Sequence, residues 1–485
     1  MQHTVEKIGG TSMSDYAAVR DNIVMHGGQN KNLYGRIFVV SAYGGVTDML
    51  LEHKRSGEPG VYALFAGTAD DEGNTDHWEA QLDRVLSAML AHNARLFGEA
   101  PERREADLFI TERIEGVRSC LQDLRRVCTY GHFQLAEHLT TLRELLASLG
   151  EVHSAYNMAA LLRRDGVAAR FIDLTGWRNP SLLPLDDRLR QAFGEMNVNQ
   201  ELPIVTGYCQ CTEGMVRTFD RGYSEMTFAR LAVVSGAREA IIHKEFHLSS
   251  ADPRMVGPEK VIPIGRTNYD VADQLANLGM EAIHPRAAKG LRQMGIPLRV
   301  KNTFEPEHAG TLITREYVSA RPRVEIIAGR KGVMAIEVFD QDMMGANRYD
   351  AVIVGAVHRH RARIITKDLN ANTITHFLDT GLGPVKRIIA DLEEEFPNAE
   401  IQARKVAIVS AIGSDMKISG MLSRTVRALA DVGVDVLAIH QSMRQVDIQF
   451  VIDEKDYETA VRSLHAGVIE AEHQAAAGTP VEIAA

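Results

Sequence analysis

Val5-Glu6-Lys7-Ile8-Gly9-Gly10-Thr11-Ser12 opens the chain with a strand-like start that runs into two adjacent glycines and two hydroxyls. Such a stretch suits the end of a first strand turning over a polyphosphate. Glycine tolerates φ > 0 and lets backbone N–H groups approach an anion. Lys7 adds a point charge, and Thr11 and Ser12 add donors. The spacing is not that of a Walker loop, because G-x-x-x-x-G-K-[ST] is absent. Taken alone, the octapeptide equally describes a generic Gly-Gly turn.

The whole chain bounds what this loop can belong to. Its 485 residues are too many for one compact core, and two to four domains of roughly 100–250 residues each are expected. Hydrophobic content of 45% and charged content of 24% place it among globular proteins. Lys and Arg total 54 against 64 Asp and Glu, a net charge of −10. That balance argues against nucleic-acid and anionic-membrane partners. Cys120, Cys128, Cys209 and Cys211 make no disulfide framework. No second Cys/His pair stands at zinc spacing from Cys209-Gln210-Cys211, so no metal site is expected. Neither a secretory signal nor an apolar run of about 18 residues is apparent, and the expected location is the cytoplasm.

Ile37 to Ala42 reads as a buried strand leading into Tyr43-Gly44-Gly45-Val46-Thr47-Asp48. A strand, a Gly-rich turn and a helix make a βα unit, whose carboxyl-end loop is the usual ligand site. From 76 to 165 the apolar period is helical, with Leu82, Val85, Leu86, Met89 and Leu90, then Leu139, Leu142, Leu145 and Leu146. Strands resume at 169–172, 202–207 and 240–242, and the last is expected at 298–300. These imply a mostly parallel sheet with helices on both faces. After Gly310-Thr311-Leu312-Ile313 two similar units follow, starting at Val324 and Lys405. Each reads β-α-β-β and a further helix, an internal duplication of about 75 residues. The tail Gln474–Ala485 is Ala-rich and suits either a late strand or a frayed end.

Seven separated motifs now stand in order: Lys7-Ile8-Gly9-Gly10-Thr11-Ser12, Val40-Ser41-Ala42 with Gly45-Val46-Thr47, Gly150-Glu151-Val152-His153-Ser154, Arg221-Gly222-Tyr223-Ser224-Glu225, Ala251-Asp252-Pro253-Arg254, His284-Pro285-Arg286 and Gly310-Thr311-Leu312. Together they resemble the aspartate kinases, an amino-acid-kinase domain followed by tandem ACT domains. The resemblance covers nearly the whole length. It implies an α/β kinase sheet sandwiched by helices, with a helical subregion, over residues 1–315. Two βαββαβ-like ACT domains are then expected at 324–397 and 402–485.

The resemblance also implies a reaction: ATP-dependent phosphorylation of the L-aspartate side chain to 4-phospho-L-aspartate. A carboxylate of pKa ~3.9 is already ionised at neutral pH, so no base is needed. The obstacle is an anion approaching a polyanion, and catalysis is positioning plus charge neutralisation. Lys7 and Arg221 are the implied catalytic residues. Implied nucleotide contacts are Lys7, Gly9, Gly10, Ser41, Ser224, Lys244, Ser249, Asp252 and Arg254. Mg²⁺ is expected with ATP, held by phosphates and waters. Implied substrate contacts are Thr47, Glu151, Arg221, Gly222 and Glu225. The planar fork of Arg221 suits the α-carboxylate, and Glu151 the α-ammonium. Ser148-Leu149-Gly150-Glu151 is also cap-like, where an acid would simply answer a helix dipole, and Asp48 equally suits an N-cap.

The chain departs from the family pattern in several places. Tyr223 stands where the family has Gly, and Glu225 where it has Asp. His243-Lys244 replaces Thr-Asp, and Glu281 replaces a lysine. Lys244 is expected to restore the lost cation. These changes resemble the branch of aspartate kinases linked to ectoine synthesis. ACT domains pair between chains in the family, so a homodimer or higher homo-oligomer is implied. An amino-acid effector is implied at the loops holding Asp342 and Met344, and Ser414 and Asp415. The alternative is that these loops only cap helices and serve dimerisation. Two other readings stay open: a kinase of the same fold for another substrate, such as glutamate, and a non-catalytic amino-acid sensor.

Overall fold

The computed structural model describes residues 3–25, 33–54, 56–68, 77–194, 196–280, 282–343 and 347–473. The chain divides into two compact units, Met1–His247 with Ile283–Arg315, and Leu248–Ala282 with Glu316–Ala485. The expected kinase boundary at 315 is thus interrupted, because the segment Leu248–Ala282 packs with the second unit.

Seven strands form the sheet within the first unit: β1 (Thr4–Ile8), β2 (Arg36–Val40), β3 (Ala169–Ile172), β4 (Leu202–Thr206), β5 (Glu239–Lys244), β6 (Leu298–Asn302) and β7 (Thr311–Thr314). Their order is β3-β4-β2-β1-β5-β6-β7. The first six pair in parallel, and β7 runs antiparallel to β6. The expected strands and their parallel sense are therefore present. A parallel sheet is covered on both faces, so its strands read as near-continuous apolar runs. Ile37 to Val40 and Leu202 to Val205 fit this. β1 lies between β2 and β5 and is buried throughout, including Glu6 and Lys7. A buried charge in such a strand demands a partner.

Three long helices fill the expected helical subregion: α1 (His77–Phe97), α2 (Glu102–Cys128) and α3 (Leu135–Arg164). α3 carries polar residues yet is almost continuously buried from Leu146 to Leu162. Its Gly150 makes this possible. A Cβ there would stand 2.7 Å from Cβ of Ala42 and 3.2 Å from a methyl of Val46. The helix therefore crosses the turn after β2 at a distance that only glycine allows.

The second unit is a six-stranded sheet. Its strands are β8 (Ile326–Phe339), β9 (Arg363–Leu369), β10 (Thr373–Asp379), β11 (Glu400–Ile412), β12 (Val436–Gln441) and β13 (Asp447–Asp453). The order is β9-β10-β8-β11-β13-β12, and neighbouring strands run antiparallel. Duplication is visible here, and the two copies are interleaved. β8 and β11 pair along almost their whole length, with a register shift at Val406/Ile408. Gly332, at φ 75°, stands at the same break in β8. Residues 334–339, 363–369, 373–379 and 400–405 complete a first βαββαβ unit, with helices Asn347–Arg359 and Leu382–Glu395. The second unit starts at residue 406, and its fourth strand comes from residues 326–330, upstream of the first. The expected sequential boundaries, 324–397 and 402–485, therefore give way to two long shared strands. The tail 474–485 lies outside the described residues.

The close helix crossing gives a test. Gly150→Val should lower unfolding stability by about 1–3 kcal/mol, the usual cost of forcing atoms into a packed site. A urea midpoint unchanged from the parent would contradict that crossing.

Candidate active site

Side chains alternate along a strand, and β1 uses both faces. Lys7 pairs in register with Ile242, so Lys7 and Lys244 share one face, while Glu6 and His243 share the other. The two faces carry different chemistry.

On the first face Lys7 Nζ lies 3.3 Å from Oε1 of Glu225, both side chains nearly buried. Glu225 sits in the first turn of α4 (Tyr223–Ser235). Its other oxygen accepts the backbone N–H of His284 at 2.5 Å. Burial alone would raise this carboxyl. Lys7, Lys244 and the His284 N–H outweigh burial and hold it below its ordinary range, so it stays ionised. Lys244 is therefore close to the Lys7–Glu225 pair.

Glu151 lies on the same side with the opposite fate. It is 1% exposed, and burial pushes its carboxyl up to about 8, against weaker opposition from Ser224, Lys7 and the Tyr208 backbone N–H. Oε1 accepts from the Ser224 hydroxyl, while Oε2 is buried with no hydrogen-bond partner. Gly207 explains the access: a Cβ there would lie 2.7 Å from that same Oε2. Glu151 is in the middle of α3, so the helix-cap reading of Ser148–Glu151 is excluded.

On the second face Glu6 is clamped. Arg36 donates to it at 2.7 and 2.9 Å, the Thr4 hydroxyl at 2.9 Å, and His243 Nε2 lies 2.8 Å away. Burial raises Glu6, yet Arg36 and His243 carry it well below the carboxylate range. The departure at His243 thus has a physical reason: it is the partner of Glu6 across β1 and β5. This triad is hidden in the sequence because Glu6 reads there as one acid in an apolar strand.

The glycines act differently from expectation. Gly9 has φ −69° and ψ 158°, and Gly10 begins the short helix Gly10–Met13. Neither uses the left-handed region. The N–H of Gly9 donates to the His243 carbonyl at 3.2 Å, and a Cβ on Gly10 would lie 2.6 Å from the Ala42 carbonyl oxygen. Close approach, not φ > 0, demands glycine at position 10. The positive φ belongs to Gly45, at 83°, which starts the helix Val46–Leu50 bearing Thr47.

Arg221 does not present an open fork. It donates to the Asp48 carboxylate and to the Glu52 carbonyl, and Glu52 is held in turn by Arg143 at 2.8 and 2.5 Å. Asp48, expected as an N-cap, is the partner of Arg221. Gly222 is required because a Cβ would lie 2.5 Å from the His284 ring. The His284-Pro285 motif thereby packs on Arg221-Gly222. Ser41 is held through its backbone, with its carbonyl accepting from Ser154 at 2.8 Å.

Other expected residues lie elsewhere. Ser249, Asp252 and Arg254 belong to the second unit, where Asp252 caps the Arg254 N–H at 2.9 Å and pairs with its guanidinium at 2.7 Å. Ser414 is buried, donating to Glu325 at 2.6 Å. Asp415 accepts the Lys417 N–H at 3.1 Å. The Asp342 N–H donates to Asp340 at 2.9 Å. Glu281 and Met344 lie outside the described residues. Cys209 and Cys211 are buried thiols that burial pushes up, Cys211 to about 12. Among the described residues no group of His, Cys, Asp and Glu is placed to hold a metal, and no helix is long and apolar enough to cross a membrane.

Lys7 is thus a buried ammonium paired with the Glu225 carboxylate and close enough to Glu151 to act on it electrostatically, at the carboxyl end of a central parallel strand. Residues 2–302 match the amino acid kinase family, and residues 409–467 match an ACT domain. The chain is 54% identical to "Aspartate kinase Ask_Ect" of Stutzerimonas stutzeri over 97% of this chain and 98% of that one. It is 25% identical to Aspartokinase 1, chloroplastic, of Arabidopsis thaliana, over 80% of this chain and 74% of that one. In fold it resembles E. coli aspartokinase III in complex with aspartate and ADP, at TM-score 0.71 and 21% identity, covering 96% of this chain and 99% of that one. The chain belongs to the amino acid kinase family, among its aspartate kinases that carry a carboxy-terminal ACT region. The readings as a kinase for another substrate or as a non-catalytic sensor give way to this assignment.

The Glu6 clamp gives a prediction with a definite sign. Glu6 and His243 both have depressed folded-state values, against 4.5 and 6.5 when unperturbed. Below those values the unfolded chain takes up protons first, so stability present at neutral pH is lost as pH falls. Glu6→Gln should cost about 3–5 kcal/mol at pH 7, because Arg36 is left uncompensated. It should also flatten the further loss below pH 4.5, as read from urea titrations across pH.

Proposed function

We propose that this aspartate kinase performs its reaction at the Lys7–Glu225–Glu151 cluster. The carboxylate oxygen of L-aspartate attacks the γ-phosphorus of ATP, and the bond to the bridging oxygen of ADP breaks. The products are 4-phospho-L-aspartate and ADP. The observation that carries this reading is the shared buried site of the Lys7 ammonium and the orphaned Glu151 oxygen. An ammonium held by Glu225 offsets the repulsion between two anions as they meet. Lys244, on the same strand face, adds a second cation for the phosphates. The unpartnered oxygen of Glu151 is the acceptor for the substrate α-ammonium. Arg221 takes the α-carboxylate by exchanging it for Asp48. Thr47, Gly222 and Ser224 line the same place, and Ser41, Gly9 and Gly10 shape the turn around the phosphates.

Mg²⁺ bound to ATP would neutralise phosphate charge. The resemblance implies a cation held by phosphates and waters. Nucleotide roles for Ser249, Asp252 and Arg254 rest on the resemblance alone, as do homo-oligomers formed through the ACT sheet. An amino-acid effector at the loops holding Asp342 and Met344, and Ser414 and Asp415, likewise rests on the resemblance. The branch linked to ectoine synthesis is supported by the 54% identity to Ask_Ect.

An ATP–hydroxylamine assay over a panel of amino acids tests the reading: hydroxamate should form with aspartate, and its absence refutes the assignment. Lys7→Met should lower kcat by roughly 10²–10³, the usual loss of one charge-stabilising group. Lys244→Ala should raise the KM for ATP, and an unchanged value would remove Lys244 from the nucleotide site.

Glu151 gives a pH prediction. Free, it is protonated below about 8. It must ionise to accept the substrate ammonium, so aspartate binding releases a proton. The kcat/KM for aspartate should therefore climb as pH rises toward 8 and level off above it. Glu151→Gln should abolish that slope and raise the KM for aspartate.

A further inference from the structure

Tyr223 is a large side chain at the start of α4, next to the ion pair, and the reaction does not use it. It is 3% exposed. Its hydroxyl is within hydrogen-bonding reach of Thr47, and Glu151 and Arg221 lie close enough to act on it electrostatically. These are three of the residues that the proposed function gives to the amino acid. Its ring stands edge-on to Tyr208, with centroids 5.9 Å apart. Tyr208 is itself fixed: its hydroxyl donates to Glu144 at 2.9 Å. Glu144 also accepts the Arg217 N–H at 2.8 Å. The ring therefore cannot retreat without breaking a buried aromatic and hydrogen-bonded stack. On the other side, Ser224 is committed to Glu151, and Glu225 to Lys7 and His284. The start of the helix is thus pinned at consecutive residues.

We propose that Tyr223 is a specificity-determining residue, a rigid aromatic wall that sets the length of amino-acid side chain the site accepts. This rests on the proposed placement of the substrate between Thr47, Glu151 and Arg221. A longer acid held by the same α-ammonium and α-carboxylate contacts must fit one more methylene before its carboxylate reaches the γ-phosphate. A pinned ring denies it that space. The wall selects a four-carbon dicarboxylic amino acid over its five-carbon homologue. A hydrophobic pocket alone discriminates one methylene by roughly 10–200-fold, and the rigidity of the stack places this site in that range. The Tyr223 hydroxyl serves separately to orient Thr47, which binds substrate without taking part in bond making.

The experiment measures kcat and KM for aspartate and glutamate by hydroxamate formation, together with the KM for ATP, on the full chain. Tyr223→Ala should raise the KM for aspartate. It should shrink the aspartate-to-glutamate ratio of kcat/KM at least about tenfold, with the KM for ATP within about twofold of the parent. Tyr223→Phe keeps the ring and should keep the ratio, with a modest rise in the KM for aspartate. Tyr223→Leu, intermediate in volume, should give an intermediate ratio and serves if the alanine variant does not fold. A ratio unchanged in a folded alanine or leucine variant overturns the proposal. So does a phenylalanine variant that loses discrimination as fully as alanine does. If the parent enzyme itself gives no hydroxamate with aspartate, the underlying placement falls. That outcome is told apart from failure of Tyr223 because it appears before any substitution is made.

Discussion

An ammonium cannot sit in a buried strand without a carboxylate to answer it, and the first unit is arranged around that demand. Lys7 occupies the end of a strand with neighbours on both sides. Glu225, from a helix more than two hundred residues later, supplies the counter-charge at 3.3 Å. The His284 N–H then secures Glu225. Three segments far apart in the chain are thereby tied at one point. Without Glu225 the buried Lys7 ammonium would be left without its counter-charge.

Two buried carboxyls stand within reach of the same lysine, and their surroundings push them apart. Glu225 receives cations and a backbone donor and is ionised. Glu151 receives chiefly burial and is neutral at rest. Divergent environments of this kind separate roles in an active site. In the proposed site the ionised acid positions the charge, and the neutral one is the acceptor for an incoming ammonium. Meanwhile the opposite face of β1 is tied down by the Glu6–Arg36–His243 clamp. That clamp fixes how β1 and β5 lie together, so that Lys7 and Lys244 emerge on one side.

Much of this is legible in the sequence, and the reasons differ by residue. The strands are readable because buried parallel strands are continuous apolar runs, and the long helices because of their period. Lys7, Thr47, Glu151 and Glu225 are readable through their motifs. The pairing of Arg221 with Asp48 is not, because a guanidinium suits any carboxylate and the sequence does not say which is near. The physical demand at Gly9 and Gly10 also differs from the one their sequence suggests. Glycine composition signals a tight place, but not whether φ or proximity makes it tight. The ACT repeats are readable as repeats. Their exchange of strands is not, since a 13-residue strand such as β11 reads as one element although its halves serve two copies.

The sequence by itself determined which residue types gather at the proposed site, and the alternation of strand and helix that carries them. These are local properties of composition and period. The tertiary structure alone decided the state of each charge: Glu225 ionised, Glu151 protonated, Glu6 clamped, Arg221 already engaged. A pKa depends on what lies within a few ångströms, and those neighbours come from positions up to hundreds of residues away. No reading of a linear chain contains that distance.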